Sequence, residues 1–286
     1  MKASTRLRQL MAGGGPVVAP GGYDGISAKM IERSGFAAVY ASGGAMARAT
    51  GLPDLGLLSM AEITDRLATM VDAVTVPVIA DADTGYGNAL NAQHMVRAFE
   101  RAGVAGFHIE DQHFPKRCGH YDDKSIVPIR EMTQKLRAVR DAATDPDLVV
   151  IARTDGLAVE GFEATIDRAH AYMEAGADVI FVEAPTTVDQ IEQIAERLPY
   201  PKLINMFAGG KTPLIPTDRL GALGYAIVII PSDLQRAALW AMEQTLDAIR
   251  RDGDSRAMQD RMVSFAEREA IIGTADWLAR DKTYAV

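Results

Sequence analysis

The chain has 286 residues, of which 48% are apolar and 24% charged, with 25 Gly, 13 Pro and one Cys. This is a soluble globular composition that excludes disordered, collagen-like and disulfide-stapled classes, and a single thiol cannot supply the ligands of a structural zinc site. With 30 basic against 38 acidic side chains the net charge is −8, and no run of like charge offers nucleic acid a footprint.

At the amino end Lys2, Arg6 and Arg8 precede Leu10 and Met11 in the manner of a signal peptide, but Gly13, Gly14, Gly15 and Pro16 break the apolar stretch. No stretch approaches the roughly 18 to 20 apolar residues that cross a bilayer. No membrane is expected, and a reducing cytoplasmic setting is. Short Val- and Ile-rich runs then recur along the chain: Pro16 to Pro20, Ala37 to Ser42, Val78 to Asp83, Gly106 to Gln112, Leu148 to Thr154, Val179 to Ala184, Leu203 to Met206 and Tyr225 to Pro231. Between them lie segments of helical periodicity such as Ser59 to Val74 and Asn91 to Ala102, the second stopping at Gly103.

Continuous apolar strands, rather than alternating ones, are what burial on both faces by a helical shell produces, so the sheet is expected to be parallel. Eight βα units without a phosphate-binding glycine fingerprint after the first strand predict an α/β fold, a closed (β/α)₈ barrel of the TIM type. The glycines at 13–15 precede a strand and are expected to form a loop. After the eighth strand, Ser232 to Arg251 and a further helical tail exceed what a barrel needs, with Met242, Leu246 and Ile249 on one helical face. The expectation is one domain over 1–286, with the barrel at 1–252 and a tail at 253–286 that covers the barrel or docks on a neighbouring subunit.

Active sites of such barrels lie at the carboxyl ends of the strands. Those ends deliver Tyr40, Ser42, Gly43 and Gly44; Asp81 and Asp83; His108, Glu110, Asp111 and Gln112; Arg153, Thr154 and Asp155; Glu183; Asn205; and, after strand eight, Arg236. Asp54, Asp81, Asp83 and Glu110 brought to one point would repel unless a cation intervened, and an oxygen-only donor set favours Mg²⁺ or Mn²⁺ over Zn²⁺. Arg153, at the end of an apolar strand, needs a carboxylate: a substrate's, or that of Glu183 or Asp155. Ser42, Gly43 and Gly44 offer a hydroxyl and bare backbone N–H groups as a second cradle. Cys118 stands between Lys116, Arg117 and His120, cations and an imidazole that favour a thiolate and proton exchange near neutral pH. The connection from His113 to Val127 is long enough for a lid, and His113 itself is read as surface.

The motifs Tyr40-Ala-Ser-Gly-Gly, Gly51-Leu-Pro-Asp-Leu-Gly, Ala80-Asp-Ala-Asp-Thr-Gly-Tyr-Gly, His108-Ile-Glu-Asp-Gln, Lys116-Arg-Cys-Gly-His and Ala152-Arg-Thr-Asp together resemble the isocitrate lyase and phosphoenolpyruvate mutase superfamily. The likeness runs from about Tyr23 to Arg236, and its short length resembles the methylisocitrate lyase and alkylmalate lyase branches. It implies a Mg²⁺-dependent barrel in a homotetramer, a dimer of dimers exchanging a terminal helix. Asp81 is implied as the direct metal ligand, with Asp54, Asp83 and Glu110 holding metal-bound waters. Arg153, Gly119 and the Ser42 to Gly44 segment are implied to grip substrate, and Glu183, Asn205 and Arg236 match further site positions. Cys118, with His120 near, resembles the acid of the lyases, and Tyr40 or a metal-bound water is implied to remove the hydroxyl proton. The implied reaction cleaves a 2-hydroxy acid to pyruvate through an enolate-like fragment.

After the strand-seven Asn, methylisocitrate lyases usually carry Thr-Glu-Phe-Gly, whereas this chain reads Asn205-Met-Phe-Ala-Gly-Gly-Lys-Thr-Pro. That segment resembles the dimethylmalate lyase and carboxyvinyl-carboxyphosphonate phosphorylmutase branch and favours a dicarboxylic alkylmalate such as 2,3-dimethylmalate over the tricarboxylic methylisocitrate. Phe207, Leu234 and Met46 are expected to shape the alkyl pocket. Oxaloacetate decarboxylases and hydrolases are a rival reading that the cysteine motif argues against. Phosphonomutases usually replace that motif with an Asn-containing one, and a silent carboxylate-binding barrel would be expected to lose Asp81, Cys118 or Arg153.

Overall fold

A computed structural model describes residues 1–117, 119 and 123–285. Eight parallel strands form a closed barrel in chain order: β1 Val17–Gly22, β2 Val39–Ala41, β3 Val78–Asp81, β4 Gly106–Glu110, β5 Val149–Thr154, β6 Val179–Val182, β7 Lys202–Asn205 and β8 Tyr225–Ile230. The barrel closes where β1 pairs with β8 from Val17↔Ile227 to Pro20↔Ile230. Each of the eight predicted apolar runs supplies one strand, because each is too short and too β-branched for a helix and is covered on both faces.

The core follows the period of two along each strand. Val78 and Ala80, Phe107 and Ile109, Val150 and Ala152 face the helices, against Leu67, Met70, Met95, Phe99 and Leu136. Tyr40, Ile79, Val149, Ile151, Phe181 and Leu203 belong to the separate cluster inside the barrel. The helices begin and end on local signals. The Ser59 hydroxyl and Glu62 form a capping box at the start of Met60–Ala73. Asn88 does the same for Ala89–Ala102, which therefore starts two residues before the expected Asn91 and stops at Gly103 in the left-handed conformation.

The residues 13–15 do form a loop, but the helix Ala3–Met11 ahead of it was not foreseen. Leu7 is fully buried in the barrel-interior cluster, and Ser4 Oγ and Arg8 fasten this helix to Asp145 and Asp178. The chain divides at Asp233/Leu234 into two compact units, ahead of the long helix rather than behind it. The second unit carries most of the helix Asp233–Asp252, a 3₁₀ turn Arg256–Arg261 and helices Phe265–Ile272 and Thr274–Tyr284. Met242, Leu246 and Ile249 are all exposed, as are Trp240, Phe265 and Trp277. Among the described residues no helix is long and apolar enough to cross a membrane.

Candidate active site

The period that sorts the core also builds the site. Asp81 shares its face with Ile79, Arg153 with Ile151, Glu183 with Phe181 and Asn205 with Leu203, so each points into the barrel mouth where its strand ends. His108 and Glu110 do so from β4, alternating with the outward Phe107 and Ile109. Just past β3 the backbone is strained: Asp83 and Tyr86 have φ of 44° and 61°, and Ala184 after β6 has 56°. Such conformations cost roughly 1–3 kcal/mol each and collect where a side chain must be aimed.

Asp81 is held by four groups. The Tyr40 hydroxyl and Gly43 N–H donate to its Oδ2, each at 3.2 Å, Asp83 N–H donates to Oδ1 at 3.0 Å, and His108 Nε2 lies 3.5 Å from Oδ1. Gly43 must lack a side chain, since a Cβ there would stand 2.6 Å from Asp81 Oδ2. Part of the expected substrate cradle is engaged within the protein: Gly43 N–H donates to Asp81, Ser42 Oγ accepts from Ala45 N–H and caps the helix Gly43–Ala49, and Gly44 lies against Asp54.

The four acids do not surround a common empty point. Lys116 Nζ lies between two of them, 2.5 Å from Asp54 Oδ1 and 3.0 Å from Asp83 Oδ1. Arg153 is clamped by Asp155 through two hydrogen bonds of 3.0 and 3.1 Å, with Glu110 Oε2 at 3.2 Å and Glu183 Oε1 at 4.0 Å. Of the two internal partners expected for Arg153, Asp155 is the bidentate one. Lys124 Nζ adds a third buried cation, 2.8 Å from Asp155 Oδ1. Asp111 accepts from the Thr154 and Tyr172 hydroxyls and from Asp155 N–H, fixing that turn from behind.

These neighbours set the ionisation. Burial opposes charge on Asp81, but His108, Lys116, Arg153 and the Asp83 N–H outweigh it and hold the carboxyl at about 2. Asp155 is likewise held at about 2, burial being overcome by Arg153 and Lys124. Asp83 is pushed up to about 6, chiefly by burial, with Asp81 and Asp54 adding to it against Lys116. Burial also pushes Glu110 well above the usual carboxylate range. Burial and the Asp81 charge drive the Tyr40 phenol well above its ordinary value, and its hydroxyl donates to Asp81.

Among the described residues, Asp54, Asp81, Asp83, Glu110, Asp155 and Glu183 are six carboxyl groups against four cations, Lys116, Lys124, Arg153 and, 3.9 Å from Asp54, Arg48. Glu110 Oε1 is buried and has no hydrogen-bond partner among the described residues. An excess of oxygen donors with an unsatisfied carboxylate is an environment that a hard cation completes. No three His, Cys, Asp or Glu side chains among the described residues stand close enough to ligate one ion directly. This is compatible with Mg²⁺, which keeps most of its waters.

Glu183 and Asn205 meet at 3.4 Å inside the mouth, and Gly119 lies against Glu183 and Arg153, where a Cβ would collide with both. Cys118 and His120 lie outside the described residues. Arg236 lies on the Asp233–Asp252 helix in the second unit. Met46, expected in the alkyl pocket, is fully buried in the core instead. His113 is exposed, as expected. A hollow of about 1080 Å³ opens at the opposite end of the barrel, between the Ala3–Met11 helix and Phe36, but its lining includes no acid.

Residues 7–250 match the family profile described as phosphoenolpyruvate phosphomutase. The chain is 43% identical over 274 residues to the 2,3-dimethylmalate lyase of Eubacterium barkeri, covering 96% of this chain and 95% of that one. It is 42% identical over 280 residues to the 2-methylisocitrate lyase of Bacillus subtilis (strain 168), covering 98% and 92%. The crystal structure of a phosphonopyruvate hydrolase in complex with oxalate and Mg²⁺ superposes with a TM-score of 0.91 at 30% identity, covering 99% of each chain.

Proposed function

Because the chain belongs to the phosphoenolpyruvate phosphomutase family, we propose that it is a Mg²⁺-dependent carbon–carbon lyase cleaving a 2-hydroxy dicarboxylic acid, an alkylmalate such as 2,3-dimethylmalate, to pyruvate and a short carboxylic acid. The observation that carries this reading is Arg153, a buried guanidinium aimed into the same barrel mouth as an excess of carboxylates. One group recognises an anionic substrate and the others recognise a cation. The Asn205 to Pro213 segment supports the alkylmalate. The 43% identity to a 2,3-dimethylmalate lyase supports it too, while the 42% identity to a 2-methylisocitrate lyase supports a second reading, cleavage of methylisocitrate by the same machinery.

Asp81, with Asp54, Asp83 and Glu110 through water, would hold Mg²⁺ or Mn²⁺. When bound, the ion lowers the pKa of the substrate hydroxyl and offsets the charge of the acids. Arg153, kept in orientation by Asp155, binds a substrate carboxylate in bidentate fashion. The substrate hydroxyl proton passes to water or to Tyr40, which stands beside Asp81, and Glu183 and Asn205 orient the reacting end. Gly119 leaves room for the substrate over Arg153. Cys118, assisted by His120, delivers a proton to the enolate-like fragment as the C2–C3 bond breaks. The exposed apolar residues of the second unit support a homotetramer, and the composition supports a cytoplasmic protein with no nucleic-acid or membrane partner.

Pyruvate release coupled to lactate dehydrogenase, measured in parallel on 2,3-dimethylmalate, 2-methylmalate, methylisocitrate and oxaloacetate with Mg²⁺, tests the reading. Preference for an alkylmalate is the expected result. Preference for methylisocitrate transfers the enzyme to the second reading, and turnover of oxaloacetate alone refutes both.

A further inference from the structure

The connection after β3 carries Asp83 through a strained stretch of backbone. Asp83, Gly85, Tyr86 and Gly87 take φ of 44°, 82°, 61° and 144°, and such a run persists only where its surroundings over-determine it. Its own hydroxyls do not supply the hold: those of Thr84 and Tyr86 are buried and without a hydrogen-bond partner among the described residues. Most of the hold comes from the backbone. Ala82 N–H donates to the His108 carbonyl and Glu110 N–H to the Asp83 carbonyl, while Gly85 N–H returns to the Ala82 carbonyl, each at 2.9 Å.

The Thr84 carbonyl is held by a side chain instead. Lys135, buried on the helix Ile129–Ala142, donates to it from Nζ at 2.9 Å across 51 residues. The Thr84 carbonyl and the Gly85 N–H belong to one peptide plane, so Lys135 on one edge and the Ala82 carbonyl on the other pin that plane against rotation. Its flank leaves no slack, since a Cβ on Gly85 would stand 2.7 Å from Ile109 Cδ1. The carboxyls that face the ammonium are Glu131 on its own helix and Asp111 and Glu110 at the end of β4. Among the described residues none of them forms an ion pair with it. A buried ammonium without an ion pair is costly, and what this one secures is the Thr84 carbonyl, which burial would otherwise leave unsatisfied.

We propose that Lys135 is a positioning residue for Asp83. By fixing the Thr84–Gly85 peptide it keeps the strained turn in the conformation that sets the Asp83 carboxyl 3.0 Å from Lys116, among the acids of the barrel mouth. Without Lys135 that peptide is free to turn its carbonyl toward water, Gly85 N–H leaves the Ala82 carbonyl, and Asp83 relaxes out of its left-handed φ. The consequence for function rests on the reading of Asp83 as an acid that holds metal-bound water. Partners that orient such acids from outside typically carry about 10- to 100-fold in metal affinity.

The test uses the full chain with Lys135→Met, which keeps a buried stem and removes the donor, and Lys135→Arg, which restores one. A hollow of about 450 Å³ beside Lys135, lined also by Asn88, Pro128 and Glu131, accommodates the larger head. Mg²⁺ binding is measured by calorimetry without substrate, the melting temperature is measured without metal, and Asp83→Asn is the reference for loss of the acid itself. Lys135→Met is expected to weaken Mg²⁺ binding about 10- to 100-fold, with Lys135→Arg between it and the parent. A lowered melting temperature with parental Mg²⁺ affinity in Lys135→Met marks a purely structural lysine and overturns the proposal. Parental affinity in Lys135→Met while Asp83→Asn binds weakly overturns the positioning role and leaves the metal reading standing. Parental affinity in Asp83→Asn removes that acid from the metal site and overturns the role with it. If Lys135→Met does not fold, Lys135→Gln, one atom shorter, replaces it in the comparison.

Discussion

Replacing Asp155 by Asn removes the anion between two buried cations. Asp155 is fully buried, takes two hydrogen bonds from Arg153 and lies 2.8 Å from Lys124 Nζ. Holding its carboxyl from 3.8 down to about 2 corresponds to about 2 kcal/mol at roughly 1.36 kcal/mol per unit. Removing one partner of a buried ion pair costs about 3–5 kcal/mol, and the lower figure applies because Arg153 keeps Glu110 at 3.2 Å. A loss of about 2–3 kcal/mol lowers the melting temperature of a domain this large by roughly 5–10 °C. The stabilisation comes from a lowered pKa, so it is fully present above about 4 and disappears as pH falls through about 2. Thermal unfolding followed by circular dichroism should therefore show the same gap between parent and Asp155→Asn at pH 7 and pH 5, and a narrowing gap below pH 4. Identical melting of the two proteins at pH 7, or a gap that widens in acid, would refute the electrostatic account.

Gly119→Ala places a methyl group against Glu183 Oε1 and Arg153 Nη2, and pyruvate release should fall at least about tenfold with little change in melting; undiminished turnover would show that the turn sits elsewhere during the reaction. Asp83 is held at about 6 by burial, so protons compete for it and Mg²⁺ binding by calorimetry should weaken as pH falls from 7.5 to 5.5. Equal affinity at both ends would remove Asp83 from the metal site. Cys118→Ala and Cys118→Ser should lower C–C cleavage by about 10²–10⁴ while calorimetry shows Mg²⁺ binding intact, an assignment that unchanged turnover would sink. Leu246→Glu, on the exposed apolar face of the long helix, should break a tetramer of the 30.8 kDa chain into smaller species in light scattering, whereas a parent that is already monomeric would end that reading.

The eight strands were legible because burial on both faces leaves a local mark, a run such as Val149 to Ile151 with no polar interruption. The strand ends were legible for a related reason: Asp81, Glu110, Arg153 and Glu183 close apolar runs where only a site would tolerate them. The helix Ala3–Met11 was not, since its one fully buried residue, Leu7, leaves too weak a periodic signal. Met46 sits beside Ser42 to Gly44 in sequence but faces the core, because the short helix Gly43–Ala49 turns it away from the mouth.

By itself the sequence determined the closed barrel, the residues that each strand delivers to its mouth and the family to which they belong, all consequences of patterns within a few residues. Only the tertiary structure decided which charge meets which. Lys116 reaches Asp54 across 62 residues and Lys124 reaches Asp155 across 31, and nothing beside either lysine in the chain names the carboxylate it meets. Pairing depends on distance in space, which falls off no more slowly for a residue 60 places away than for one beside it, and barrel closure is what brings those residues within reach.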